Sequence, residues 1–71
     1  MTNDAPLTTP DAILRAALEK ERAAYAFYTD HAALCRIDMV REFLERLGDE
    51  EHKHIRMIED MLAGMRLGHD I

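Results

Sequence analysis

Hydrophobic residues recur along this chain at intervals of three and four positions, the spacing that gives an α-helix one apolar face. In the first half of the chain, such a face collects Leu14, Leu18, Tyr25 and Tyr28. In the second half, another face collects Val40, Leu44, Leu47, Ile55, Ile58 and Leu62. The pattern predicts two amphipathic helices and therefore an all-α fold.

The signals that start the first helix lie side by side near the N-terminus. Thr9 is a residue type that caps helix N-termini, and Pro10 suits the first helical position. The negative charge of Asp11 suits the positive end of the helix dipole. The sequence carries no helix-breaking residue from there to about Cys35, so the first helix is predicted over that stretch.

The second helix has its own start and stop signals. Asp38 offers an N-cap, and the helix is predicted to run to about Arg66, with Gly68 as the stop. Residues 35–37 contain neither Gly nor Pro, so one long bent helix is an alternative. The cap at Asp38 favours a short turn, which makes the fold an antiparallel two-helix hairpin.

The length of the chain, 71 residues, is enough for one small domain. That helical hairpin is predicted at residues 9–68, after a flexible N-terminus at 1–8 and before a C-terminal tail at 69–71. A chain this short buries too little surface to be comfortably stable alone. The hairpin is therefore expected to form a homodimer or a higher homo-oligomer, built on a four-helix bundle in which each copy covers the other's apolar face.

The net charge and the cysteine content limit which partners the protein can bind and in which cell compartment it is expected. A net charge of −5 argues against nucleic acid, because an acidic surface repels the phosphate backbone. Cys35 is the single cysteine, so an internal disulfide is excluded and a reducing compartment is expected. The sequence has no apolar run near the roughly 20 residues that span a membrane, and its polar start has no signal segment. We therefore expect a cytoplasmic location and no membrane contact.

Two acidic residues interrupt the apolar faces. Glu21 lies at the centre of the first face and Glu51 at the centre of the second, with His54 one turn further along. A carboxylate in an apolar core must be paired, protonated or bound to a metal. A shared cation accounts for all three residues, because the Glu51-x-x-His54 spacing lets both side chains reach one ion.

Three other interpretations of these residues stay open at the level of sequence. Glu21 could pair with a Lys or Arg across an interface, His54 could be a hydrogen-bonded core histidine, and Glu50 could replace Glu51 as the ligand. The number of candidate ligands favours a metal site over these three interpretations. Two copies of the chain supply four carboxylates and two imidazoles, the donor set that binds two metal ions inside four-helix bundles.

The same residues resemble a known motif. Two stretches carry the likeness, Glu21-x-x-Ala24-x-x-Phe27-Tyr28 and Asp49-Glu50-Glu51-x-x-His54. Together they resemble the rubrerythrin-type motif of the ferritin-like superfamily, over roughly residues 12–65. The 30-residue interval between the two glutamates is most similar to that of the encapsulated ferritins, which have two long helices and assemble their iron centre across a subunit interface.

This resemblance implies a function and a set of site residues. It implies a ferroxidase that oxidises Fe(II) to Fe(III) for iron storage or detoxification, with two iron ions per dimer and Mn or Zn as substitutes. Glu21, Glu51 and His54 correspond to the metal ligands, and Tyr28 to the tyrosine beside the centre, so all four are catalytic candidates. Encapsulated ferritins also carry a C-terminal tail that targets them to a protein shell, whereas this chain stops at Ile71 soon after the second helix. The resemblance keeps an encapsulin shell as an alternative partner and location.

Two other functions are alternatives to a ferroxidase. One is peroxide reduction of the rubrerythrin type, ranked lower because the sequence has no Cys-x-x-Cys electron-donor motif. The other is a non-catalytic helical dimerisation module, which leaves the two core glutamates unexplained. The remaining histidines, His31, His52 and His69, are predicted to be solvated. The methionines at positions 39, 57, 61 and 65 are predicted to be flexible core filler rather than a copper site.

Overall fold

The computed structural model describes residues 9–66 and consists of two helices. Helix α1 spans Pro10–Leu34 and helix α2 spans Asp38–Arg66, joined by residues 35–37. Residues towards the C-terminal end of one helix contact residues towards the N-terminal end of the other, so the hairpin is antiparallel. The predicted all-α hairpin is confirmed, and the alternative of one continuous bent helix is wrong.

The start of α1 follows the predicted capping signals. The hydroxyl of Thr9 accepts a hydrogen bond from the backbone N–H of Ala12 at 3.1 Å, and Pro10 occupies the first helical position. At the other end, Cys35 adopts an extended backbone conformation and donates its N–H to the carbonyl of Ala32. The helix therefore ends one residue before the predicted point.

The start of α2 differs from the prediction by one residue. Asp38 is the first helical residue rather than the N-cap, and the carbonyl of Ile37 accepts the first helical hydrogen bond, from the N–H of Arg41 at 2.8 Å. The Asp38 carboxylate instead accepts from the Arg41 guanidinium at 2.8 Å. The predicted stop at Gly68, the N-terminus at 1–8 and the tail at 69–71 lie outside the described residues.

The core of the hairpin is a thin seam between the helices. Leu18, Ile55 and Leu62 form it, with Leu14 and Ile58 packed against them. Every one of these residues belongs to an apolar face predicted from the sequence. Because two helices can cover only part of each other, the seam buries few side chains.

A second apolar surface of the hairpin faces solvent. Val40, from the predicted second face, is 43% exposed, and Phe43 is 51% exposed. The large hydrophobic side chains that are exposed are Ile13, Tyr25, Phe27, Leu34, Ile37, Met39, Val40, Phe43, Met57 and Met61. Val40 and Phe43 are neighbours one turn apart on α2, and an exposed apolar patch is a surface that another molecule can cover. Neither described helix is long and apolar enough to cross a membrane.

Candidate metal centre

Glu21 and Glu51 meet at mid-length of the two helices. Each lies near the middle of its helix, and the antiparallel packing brings the two carboxyl groups together with the imidazole of His54. One donor atom from each of the three residues lies within 4.8 Å of the others. The grouping predicted from the interrupted apolar faces is therefore present in a single copy of the chain.

The imidazole of His54 lies between the two carboxylates. Its Nδ1 is 3.2 Å from Oε1 of Glu21, on the opposite helix, and 3.6 Å from Oε1 of Glu51, on its own helix. The shorter distance is a hydrogen bond and the longer one is not. The His54 side chain is 50% exposed, whereas the Glu51 side chain is 20% exposed, so the group is closed on the Glu51 side and open on the His54 side.

The two carboxyl groups perturb each other. A side-chain hydrogen bond with Glu51 lowers the pKa of Glu21, and desolvation of Glu21 acts against this shift. The same hydrogen bond raises the pKa of Glu51, and desolvation adds to the rise. Because a hydrogen bond between two carboxyl groups requires a proton on one of them, the pair favours a state in which it holds a single proton.

When both carboxyl groups are ionised, one oxygen is left in an unfavourable place. Oε1 of Glu51 is buried and has no hydrogen-bond partner among residues 9–66. A buried acceptor without a donor costs stability unless a proton or a cation compensates it. Two hard carboxylate donors and one imidazole form a ligand set that suits Fe, Mn or Zn. The residues of the group therefore fit a divalent cation.

The alternatives left open by the sequence can now be judged within the described residues. Glu21 lies 3.2 Å from His54 Nδ1, and neither Lys nor Arg of residues 9–66 approaches it; pairing across an interface between copies stays a prediction. Glu50, the alternative ligand, is exposed, does not belong to the group and accepts a hydrogen bond from Lys53 at 3.3 Å. Arg22 instead bridges the helices by donating to Glu59 at 3.0 Å.

Tyr28 is half-buried and lies outside the group of three donors. Its Cβ packs beside Gly48, where an added methyl group would be 3.6 Å away, and its ring meets that of Phe27 edge-on. Tyr28 therefore borders the seam one turn before Glu51. A role for Tyr28 near a metal stays a prediction.

Two residues beside the group of three form a contact that the sequence did not predict. The rings of Tyr25 and His52 pack with centroids 5.6 Å apart and connect the two helices. Tyr25 follows Glu21 by one turn, and His52 follows Glu51 directly. His52 is exposed as predicted, but the pattern of apolar positions contains no signal for a contact between an exposed histidine and a tyrosine of the opposite helix.

A helical hairpin that gathers two glutamates and a histidine between its helices has the architecture of half a ferritin-like metalloprotein. Residues 12–71 match the family model described as rubrerythrin, and the chain belongs to the rubrerythrin family. This family comprises ferritin-like di-iron proteins, among which oxidoreductase activity is common. Neither the curated proteins nor the solved structures searched contained a match to the chain.

Proposed function

We propose that this protein is a ferroxidase of the encapsulated-ferritin type, in which Glu21, Glu51 and His54 from two copies bind two iron ions. The observation that carries the proposal is the buried Oε1 of Glu51, which has no donor among the described residues and lies 3.6 Å from His54 Nδ1. A bound cation would compensate that oxygen and the negative charge of both carboxylates. A helical module without a metal would need a proton on the carboxyl pair to compensate the same oxygen.

The open side of the group supports pairing of two copies. The His54 side chain is half exposed. Phe43 lies eleven residues before His54, and the two side chains are separated by about 20° around the axis of α2, so they lie on one face. Phe43 and Val40 extend an apolar surface from the open side of the group along the helix. A second hairpin packed on this surface would cover it and bring a second set of three ligands to the first.

The residues of the chain have distinct tasks in this proposal. Glu21 and Glu51 supply negative charge, which stabilises Fe(III) more than Fe(II) and so favours oxidation. His54 supplies a neutral nitrogen donor. At a pH below the raised pKa of Glu51, the proton on the carboxyl pair must leave before both groups can act as ligands. Iron(II) held by these residues would supply the electrons that reduce dioxygen.

The test is an anaerobic Fe(II) titration followed by exposure to air, with ferric absorbance and the mass in solution recorded together. Wild-type protein should bind about one iron per chain and oxidise it as a dimer or a larger assembly. Glu51→Gln should weaken iron binding by more than the roughly 10–100-fold cost of losing a supporting residue, while helix content stays unchanged.

Glu50→Gln is the matched control, because it removes the same charge from the neighbouring residue, which is exposed and paired with Lys53. It should leave iron binding and oxidation nearly unchanged. A Glu51→Gln protein that oxidises iron at the wild-type rate would show that the proposal is wrong. Faster consumption of hydrogen peroxide than of dioxygen would favour peroxide reduction instead.

A further inference from the structure

A cavity of about 370 Å³ lies between the helices at the open end of the hairpin, where α1 begins and α2 ends. Each helix contributes three side chains to its wall, at successive intervals of three and four residues, so each set lies on one helix face. The lining residues are Arg15, Leu18 and Arg22 of α1 and Glu59, Leu62 and Arg66 of α2. The two leucines belong to the core, so the cavity has an apolar floor.

The cavity and the open side of the metal group lie on opposite sides of the seam. Glu21 meets His54 on one side, and Arg22 meets Glu59 on the other. Arg22 follows Glu21 by one residue, about 100° around α1, and Glu59 follows His54 by five residues, about 140° around α2. A second hairpin packed over His54 therefore leaves the cavity uncovered.

The wall of the cavity concentrates positive charge in an acidic chain. The protein has a net charge of −5 and nine Lys and Arg residues, and three of the nine line this one cavity. Glu59 is the single acidic residue of the wall, and Asp11 pairs with Arg15 from beside it. Three positive charges against these two negative ones leave an excess of one positive charge, which attracts an anion.

The charges of the two helices are matched at one end of the cavity and opposed at the other. At the matched end, Arg22 donates to Glu59 at 3.0 Å across the seam. Arg15 lies two turns from Arg22 on α1, and Arg66 lies two turns from Glu59 on α2. The helices are antiparallel, so these two guanidinium groups lie on opposite walls of the same cavity, where like charges repel. An anion between them would replace this repulsion with two attractions.

We propose that the cavity binds a small organic anion whose phosphate or carboxylate group lies between Arg15 and Arg66. A guanidinium group presents a planar fork of N–H donors that matches the oxygens of either group. The ion pair of Arg15 with Asp11 engages Nε of the five N–H donors, so other donors of Arg15 remain for a ligand.

The size and the floor of the cavity indicate an organic molecule rather than a bare inorganic ion. A volume of about 370 Å³ lies in the range of pockets for small molecules, and Leu18 and Leu62 offer a surface to an apolar body. Because Arg15 and Arg66 belong to different helices, the bound anion clamps the open end of the hairpin. The site uses none of the three candidate metal ligands, so it does not depend on the proposed function.

The test uses the metal-free protein, because a phosphate or carboxylate group can also bind a metal ion. Benzyl phosphate and phenylacetate are the probes, each a charged group on an apolar body, and benzyl alcohol is the neutral control. Calorimetry at constant ionic strength should show one anion bound per chain, with a dissociation constant below about 1 mM for at least one probe. The probe that binds more tightly identifies the charged group. No saturable binding of either anion, or equal binding of benzyl alcohol, would overturn the proposal.

Inorganic phosphate tests the organic body of the ligand. It should bind at least about tenfold more weakly than benzyl phosphate, because it leaves the apolar floor uncovered. Equal affinities of the two would overturn the assignment of an organic ligand.

Two variants and a matched control locate the site. Arg15→Gln and Arg66→Gln each remove one of the opposed guanidinium groups, and each should weaken binding of the tighter probe by about tenfold or more. Arg56→Gln removes the same charge from an exposed position of α2 outside the cavity, and it should change the affinity by less than about twofold. Equal weakening by all three variants would show diffuse attraction to positive charge and overturn the proposal.

Hydrogen exchange gives a separate readout of the clamp. The tighter probe should slow exchange of backbone amides in the first turns of α1 and in the last turns of α2, and affect those beside residues 35–37 less. Slower exchange in one helix alone would show that the anion does not bridge the two helices, and would overturn the clamp.

Discussion

Nδ1 of His54 lies 3.2 Å from Oε1 of Glu21, a residue of the other helix, and 3.6 Å from Oε1 of Glu51, a residue one turn away on its own helix. The imidazole is thus hydrogen-bonded across the gap between the helices rather than along α2. A cation at this point would replace one hydrogen bond and compensate one buried oxygen. Because the pKa of Glu51 is raised, metal binding at a pH below that pKa is coupled to the loss of a proton.

The first prediction concerns metal binding and pH. The pKa of Glu51 is raised, chiefly by its hydrogen bond with Glu21, so below that pKa a metal ion must displace the Glu51 proton. Affinity for Zn(II), used as a redox-inert probe, should increase as the pH rises through the raised pKa. Calorimetry in buffers of different ionisation enthalpy should detect the released proton. An affinity independent of pH in this range would contradict the coupling.

The second prediction concerns the metal-free protein. The pKa of Glu21 is lower in the folded protein than in the unfolded chain. Glu21 therefore stabilises the fold at a pH above its unfolded-state pKa, and this stability is lost as the pH falls through its folded-state pKa. The pKa of Glu51 is higher in the folded protein than in the unfolded chain. Glu51 therefore stabilises the fold at a pH below its unfolded-state pKa, and this stability is lost as the pH rises through its folded-state pKa. The melting temperature should therefore be highest between the two folded-state values, where the pair holds one proton.

Glu51→Gln is the check on that curve. The amide cannot ionise, so the loss of stability at the upper end of the window should disappear in melting experiments on the metal-free variant. If the variant loses stability there as wild-type protein does, another group is responsible. Saturating Zn(II) should raise the melting temperature of wild-type protein much more than that of the variant.

The third prediction concerns the exposed apolar surface. Phe43→Gln replaces a half-exposed ring on the proposed contact face, so it should shift the protein from dimer towards monomer and weaken iron oxidation with it. Glu45→Gln, two residues further on α2 and on a different face, should leave the mass in solution unchanged. Sedimentation over a range of concentrations measures both. A Phe43→Gln protein that stays dimeric would place the contact elsewhere.

The fourth prediction concerns Gly48, a buried glycine inside α2. A Cβ added there would meet Tyr28 and Thr29 at 3.6 Å, which is ordinary contact. Gly48→Ala should therefore stabilise the protein by about 0.5–1 kcal/mol through the higher helix propensity of alanine. Denaturant unfolding of the metal-free protein measures the change. Destabilisation would show that the seam closes further in the assembled protein than in one hairpin.

The fold was predictable because it depends on local signals. The caps at Thr9 and Pro10 and the helical period of the apolar residues define both helices without tertiary information. The candidate site was predictable for a related reason. Glu21 and Glu51 stand out only because each interrupts an apolar face, and facing helices must bring such residues together.

Other features depend on the packing of one helix against the other, which the sequence does not encode locally. The contact of Tyr25 with His52 is one example, because neither residue breaks a pattern. The exposure of Met57 and Met61 is another, since an apolar position predicts burial without saying which molecule provides it. The role of Asp38 is a third, because an acidic residue at a helix start can cap it or, as here, pair with Arg41 inside the first turn.

The ligands lie on two different helices, so the group exists only while the hairpin is closed. A metal that binds the closed form and not the unfolded chain holds the hairpin together by mass action. When metal is scarce, the chain should spend more time open and be degraded faster by proteases. The amount of this protein in a cell would then follow the supply of its metal, without any change in the synthesis of the protein.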